Sequence, residues 1–215
     1  FLMKKSKDIT ISTARFANVA FSDGSLLHGF DQRIKKQQPI AAPSDVRRYF
    51  VVPEESGELC LMSTIFGKNR DIYFPKLDYS LHLITFSEIA KRYLKERGFE
   101  PFLCETEQEA RDKVDALSRE KKWPCLFSES NTTGEKSFEE FYTENETLDL
   151  EKHQNLGVVK NSPTFDEDKL SHFLETISGL RNARKWNKED IVSLFHTMIP
   201  NFGHVEENKY LDSKM

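Results

Sequence analysis

The run Asp8-Ile-Thr-Ile-Ser-Thr-Ala-Arg-Phe16 is rich in β-branched residues and closes on an aromatic, the composition of a buried strand. A loop, Ala17 to Gly24, leads from it to Ser25, an N-cap residue followed at helical spacing by Leu26, Leu27, Phe30 and Ile34. That helix ends on Lys35-Lys36, cations that complement the negative end of the helix dipole, and Pro39 stops it. A strand that feeds a helix is the building unit of α/β proteins.

The same alternation continues along the chain. Ile40 to Asp45, with Pro43 and Ser44, reads as loop, and Arg47 to Val52 as a short strand. Pro53 opens a helix with Glu54 and Glu55 in its first turn and Leu59, Met62 and Ile65 facing a core; Gly67 ends it. A strand over Asp71 to Leu77 precedes helix Phe86–Arg97, strand Pro101–Cys104, helix Glu107–Lys121 and strand Pro124–Phe127. Ser128 to Glu135 is polar and turn-like. An acidic stretch, Glu139 to Glu151, carries Phe141, Tyr142 and Leu148, and helices Asp166–Ala183 and Lys188–Met198 lead to an irregular tail.

Composition narrows the functional classes. The 215 residues are 38% hydrophobic and 31% charged, enough for one large domain or two small ones. A net charge of −4 with both signs interspersed forms no basic stripe, so nucleic acid is not an expected partner. No apolar run approaches the ~20 residues that cross a bilayer, so no membrane partner is expected either, and the protein reads as cytoplasmic. Cys60, Cys104 and Cys125 are odd in number, form no CxxC pair and lie among apolar residues, which points to reduced, packed thiols. The six histidines have no metal-ligand spacing, and no metal is expected. The sequence contains no GxGxxG, GxxxxGK[ST], GxSxG or HExxH.

Two features favour an anion. Arg47 and Arg48 are adjacent on a short strand and therefore point to opposite faces, so one can enter a pocket while the other stays in solvent. Asn131-Thr-Thr-Gly-Glu-Lys136 is a polar turn whose N–H groups and hydroxyls suit a phosphorylated or hydroxylated ligand.

Taken in order, these pieces resemble the C-terminal half of the extended short-chain dehydrogenase/reductase family, in its polysaccharide-biosynthesis branch of nucleotide-sugar 4,6-dehydratases and epimerases. Arg15-Phe-Ala-Asn-Val-Ala-Phe-Ser-Asp-Gly-Ser-Leu26 resembles that family's Arg-Phe-Gly-Asn-Val-x-Gly-Ser-x-Gly-Ser-Val. Pro39-Ile40 with Arg48-Tyr49-Phe50 and Glu54-Glu55 resembles its Pro-Ile…Thr-Arg-Phe-Phe…Glu-Glu/Ala run, and Gly134-Glu135-Lys136 with Glu139-Glu140 its Arg-Pro-Gly-Glu-Lys…Glu-Glu run. The tail around Gly203-His204-Val205-Glu206 and Tyr210-Leu211-Asp212 resembles the extension of a subgroup tied to legionaminic-type sugars.

The resemblance implies an α/β fold: the C-terminal substrate-binding portion of an extended Rossmann-type enzyme, with mixed short strands, helices and a helical C-terminal extension. Residues 1–17 would end the nucleotide-binding domain, 18–160 form the substrate-binding region and 161–215 the extension. Asn18 would reach the diphosphate and sugar, Ser25 and Leu27 would lie along the ligand, and Ile40 would offer backbone groups to the base. Arg48 would pair with the diphosphate and Glu135 would accept from ribose hydroxyls. The ligand would be a UDP- or GDP-linked amino sugar, and a homo-oligomer is an option the resemblance leaves open.

The sequence also departs from the family pattern. Thr132-Thr133 replace Arg-Pro and Asp23 replaces a cation, so positive charge is reduced along the ligand path. The glycine-rich loop and Tyr-x-x-x-Lys pair have no counterpart here, apart from Tyr210 and Lys214 at the wrong end of the matched region. No catalytic residue is therefore assigned. NAD or NADP belongs to an intact enzyme whose Rossmann portion would precede Phe1, where Phe1-Leu-Met-Lys-Lys-Ser-Lys7 reads as the last turn of a helix. The chain alone is expected to bind no cofactor and to be inactive. The alternative is a nucleotide-sugar-binding or interaction module without catalysis.

Overall fold

The computed structural model describes residues 6–77, 83–130, 138–162, 165–199 and 202–204. The chain divides into two compact units, one formed by Thr10–Ser130 with Glu135–Asn161, the other by Phe1–Ile9, Asn131–Gly134 and Ser162–Met215.

The first unit is α/β. Its elements in chain order are β1 (Thr13–Ala14), β2 (Asn18–Val19), α1 (Leu26–Lys35), β3 (Ile40–Pro43), β4 (Arg47–Arg48), β5 (Phe50–Val51), α2 (Pro53–Phe66), β6 (Asp71–Pro75), β7 (Ile84–Thr85), α3 (Phe86–Glu96), β8 (Glu100–Leu103), α4 (Glu107–Asp112), α5 (Val114–Arg119), β9 (Lys122–Ser128), β10 (Leu148–Asp149) and β11 (Leu156–Lys160). One sheet has the order β1-β6-β11-β10, with β1 parallel to β6 and β11 antiparallel to both neighbours. Helix α2 covers it by packing Leu59 against Tyr73 and Val158. Its Ser63 hydroxyl donates to the Thr13 carbonyl at 3.0 Å, while Ser12 donates to the Ser63 carbonyl at 2.8 Å, so helix and edge strand are tied twice. Gly157 faces Phe74 across the β6–β11 pair, and a Cβ there would lie 2.2 Å from the ring, so the strand needs glycine for close approach.

A second, wholly parallel sheet, β3-β9-β8, carries the larger core. Phe30 of α1, Ala90, Tyr93 and Leu94 of α3 and Val114 of α5 close on Ile40, Ala42, Trp123 and Cys125. Trp123 is buried, and its indole N–H satisfies itself on the Gln38 carbonyl at 3.0 Å. Two short ladders, parallel β2–β5 and antiparallel β4–β7, complete this unit among the described residues.

Several elements differ from those the sequence predicts. Ile40 to Pro43 is a strand rather than loop: Ile40 and Ala42 face inward while Ala41 is exposed, and Pro43 is tolerated at the end of an edge strand. The long strand expected over Asp8–Phe16 narrows to Thr13–Ala14, because the Ile11 N–H and carbonyl are taken by Asn69 Oδ1 and the Arg70 N–H. The predicted helix 107–121 divides at Lys113, although i→i−4 bonds continue on both sides of it. Cys60 is exposed on α2; only Cys104 and Cys125 are packed inside.

In the second unit, α6 (Glu167–Ala183) and α7 (Lys188–Met198) start on side-chain caps from Asp166 and Asn187. Their Phe173 and Phe195 rings meet edge to face at 5.1 Å. No helix of the described residues is long and apolar enough to cross a membrane.

Candidate functional site

The segment after β1 is stitched to the β4–β5 region. The Asn18 N–H donates to the Tyr49 carbonyl at 3.1 Å and the Ala20 N–H to the Val51 carbonyl at 2.8 Å. From the other side, Arg15 grips the acidic segment. Its guanidinium donates to both carboxylate oxygens of Glu146, at 2.9 and 2.7 Å, and to the Phe141 carbonyl at 2.9 Å. This bond with Arg15, helped by the Thr143 N–H at 2.8 Å, holds the Glu146 carboxyl below the usual glutamate range. Phe141 is thereby placed against Tyr49, with ring centres 5.3 Å apart, and stacked on Phe74.

These contacts enclose a cleft of about 390 Å³ lined by residues 14–18, Tyr49 and residues 139–141. Arg48 stands beside it. The alternation read from the sequence holds, since Arg47 is exposed and Arg48 is only 6% exposed. The Arg48 guanidinium lies over the Phe86 ring at 5.8 Å, donates to the Arg47 carbonyl at 2.8 Å, and has its Nε 3.6 Å from Oε1 of Glu139, a carboxylate on the cleft wall. A buried planar cation thus faces an acceptor at the edge of a cavity, in a setting where charge is poorly screened.

Of the residues expected to bind ligand, Asn18 and Arg48 come together at this cleft, Asn18 on its wall and Arg48 through Glu139. Ser25 caps α1, accepting from the His28 N–H at 3.3 Å. Leu27 lines a separate cleft of about 270 Å³ with Phe21, Ile89, Arg92, Tyr93, Glu96 and Arg97. Ile40 has its side chain fully buried in the parallel-sheet core and is paired with Cys125, so it has only backbone to offer. Glu135, with the turn 131–136, lies outside the described residues. Sequence reasoning assigned no role to Arg15, Tyr49, Glu139 or Phe141. Arg15 opens the quoted motif, but its partner is 131 residues away and no periodicity signals such a pair.

The described residues do not fit a nicotinamide cofactor. A tyrosine–lysine pair exists, with Lys152 Nζ donating to the Tyr73 hydroxyl at 2.6 Å, but Tyr73 is fully buried. Lys152 also donates to the Phe66 carbonyl and lies 3.8 Å from Asp71, so it serves the α2 end and the sheet. None of the nine glycines is spaced as a dinucleotide loop.

In α/β folds ligands bind in crevices at the carboxyl ends of strands, and the cleft formed by the residues that follow β1 lies at such an end. Residues 2–161 match the polysaccharide biosynthesis protein family, and the chain belongs to it. No curated protein matches the sequence. Among solved structures, the X-ray structure of Pen from Bacillus thuringiensis is similar at 18% identity and a TM-score of 0.48. The match covers 73% of this chain and 41% of Pen, so the chain spans about two fifths of that protein's length.

Proposed function

We propose that the cleft receives the diphosphate and sugar of a UDP- or GDP-linked amino sugar, and that this chain is the substrate-binding portion of an NAD(P)-dependent nucleotide-sugar 4,6-dehydratase or epimerase. The observation that carries the reading is Arg48: a buried guanidinium whose exposed partner, Glu139, stands where an incoming anion would. An arginine fork matches two phosphate oxygens, and a ligand that takes it displaces the exposed Glu139 carboxylate into solvent. Asn18, a neutral amide on the same wall, can donate to a phosphate or sugar oxygen and accept from a hydroxyl. Arg15, locked by Glu146, holds Phe141 and Tyr49 as the apolar side of the pocket. With Thr132 and Asp23 where the family pattern carries cations, the diphosphate depends chiefly on Arg48. No redox step is assigned to these side chains.

Calorimetric titration tests the proposal. UDP- or GDP-N-acetylglucosamine should saturate the chain at one site while free N-acetylglucosamine shows no heat. Absence of binding by both nucleotide sugars would overturn it.

A further inference from the structure

From Leu59 to its end at Phe66, helix α2 carries no charged residue. Leu59 and Ser63 are buried against the sheet. At about 100° per residue, Leu61 and Ile65 lie about 200° round the helix from them, on the side turned away from the sheet. Leu61 is 58% exposed, Ile65 60% and Phe66 51%, and Cys60 beside them is exposed as well. The sequence predicts Ile65 in the core, and the structure turns it to solvent. Single exposed apolar residues are ordinary, but a helix that is apolar all round and covered on one side only has a second face to cover.

Gly57 continues that face one turn earlier, since Gly57, Leu61 and Ile65 are spaced by four. Glycine is the poorest helix former after proline, and a Cβ at Gly57 would meet nothing within 4 Å, so no contact inside the chain requires it. It leaves a hollow in the face. The exposed charges differ in sign along the face: Glu54 and Glu58 stand at its start and Lys68 just beyond its end.

This pattern is complementary to itself. Gly57 and Ile65 are each four residues from Leu61, and Glu54 and Lys68 are each seven. Set antiparallel on a copy of itself about a two-fold axis at Leu61, the helix brings Ile65 opposite Gly57 and Lys68 opposite Glu54. We propose that α2 is the interface of a symmetric dimer of this chain: Leu61 meets Leu61, Ile65 of each copy fills the hollow at Gly57 of the other, and Glu54 faces Lys68 at both ends. The hollow and the order of charges together select a second copy, because one helix supplies both halves of each match.

Sedimentation equilibrium tests this on wild type, Leu61→Lys, Gly57→Leu, Glu54→Lys and the double variant Glu54→Lys/Lys68→Glu, with circular dichroism to show that each is folded. Wild type at micromolar concentration should have about twice the 25.0 kDa mass of one chain. Leu61→Lys and Gly57→Leu should each weaken the dimer at least about tenfold, although the Gly57→Leu change favours the helix itself. Glu54→Lys should weaken it about tenfold, and adding Lys68→Glu should restore it. A monomeric wild type, with the face left to another occupant, overturns the proposal, as does a Leu61→Lys protein that stays dimeric. A double variant no tighter than Glu54→Lys alone overturns the antiparallel pairing and the proposal with it.

Discussion

Replacing Glu146 with Gln removes the charge that anchors Arg15 while keeping the shape of the side chain. Two charge-assisted bonds of 2.9 and 2.7 Å join the pair, and the same arginine donates to the Phe141 carbonyl. A buried bidentate pair of this kind contributes about 1.5–3 kcal/mol. Arg15 is 39% exposed and Glu146 22%, however, so solvent screens the pair and about 1 kcal/mol is the appropriate figure. Because folding lowers the Glu146 carboxyl below its ordinary value of about 4.3, its stabilisation is fully present at neutral pH and is lost as pH falls through the depressed value. Urea unfolding at pH 7 should therefore show Glu146→Gln less stable by about 1 kcal/mol. The gap should shrink with added salt and close in acid, once wild-type Glu146 is protonated. An equal gap at pH 7 and in acid, or none at pH 7, would refute the role assigned to this pair. Since Arg15 positions Phe141, nucleotide-sugar affinity should fall in parallel at pH 7.

Other perturbations follow from the same geometry. Gly157→Ala drives a Cβ to 2.2 Å from the buried Phe74 ring and should cost about 1–3 kcal/mol in urea unfolding, with partial rescue by Phe74→Leu. Burial pushes the Cys125 thiol up to about 12 and raises Cys104, so a thiol reagent at pH 8 should label Cys60 rapidly and the other two only after unfolding. Glu139→Gln removes the carboxylate facing Arg48 and should tighten nucleotide-diphosphate binding by up to about fivefold in calorimetry, the equivalent of a surface ion pair.

The α/β alternation is legible because helices here announce their ends. Ser25, Pro53, Asp166 and Lys188 mark predicted starts that lie at or within a residue of the observed ones. The short strands are less legible. Two-residue ladders such as Asn18–Val19 with Phe50–Val51 have no period to detect, and Ile40–Pro43 is masked by its proline. The separation of Arg47 and Arg48 to opposite faces follows from strand geometry alone and survives intact. What closes the cleft does not. The bonds from Arg15 to Glu146 and the packing of Phe141 on Tyr49 join residues distant in sequence.

The decisive measurement is calorimetric titration of UDP and GDP into wild type and Arg48→Lys, with urea unfolding to show that both are folded. Lysine keeps the charge but loses the planar fork, so at least one of the nucleotides should bind wild type at a single site and bind Arg48→Lys at least about tenfold more weakly. Equal affinity for the two folded proteins would contradict diphosphate recognition by Arg48 and leave the cleft without its anion-binding group.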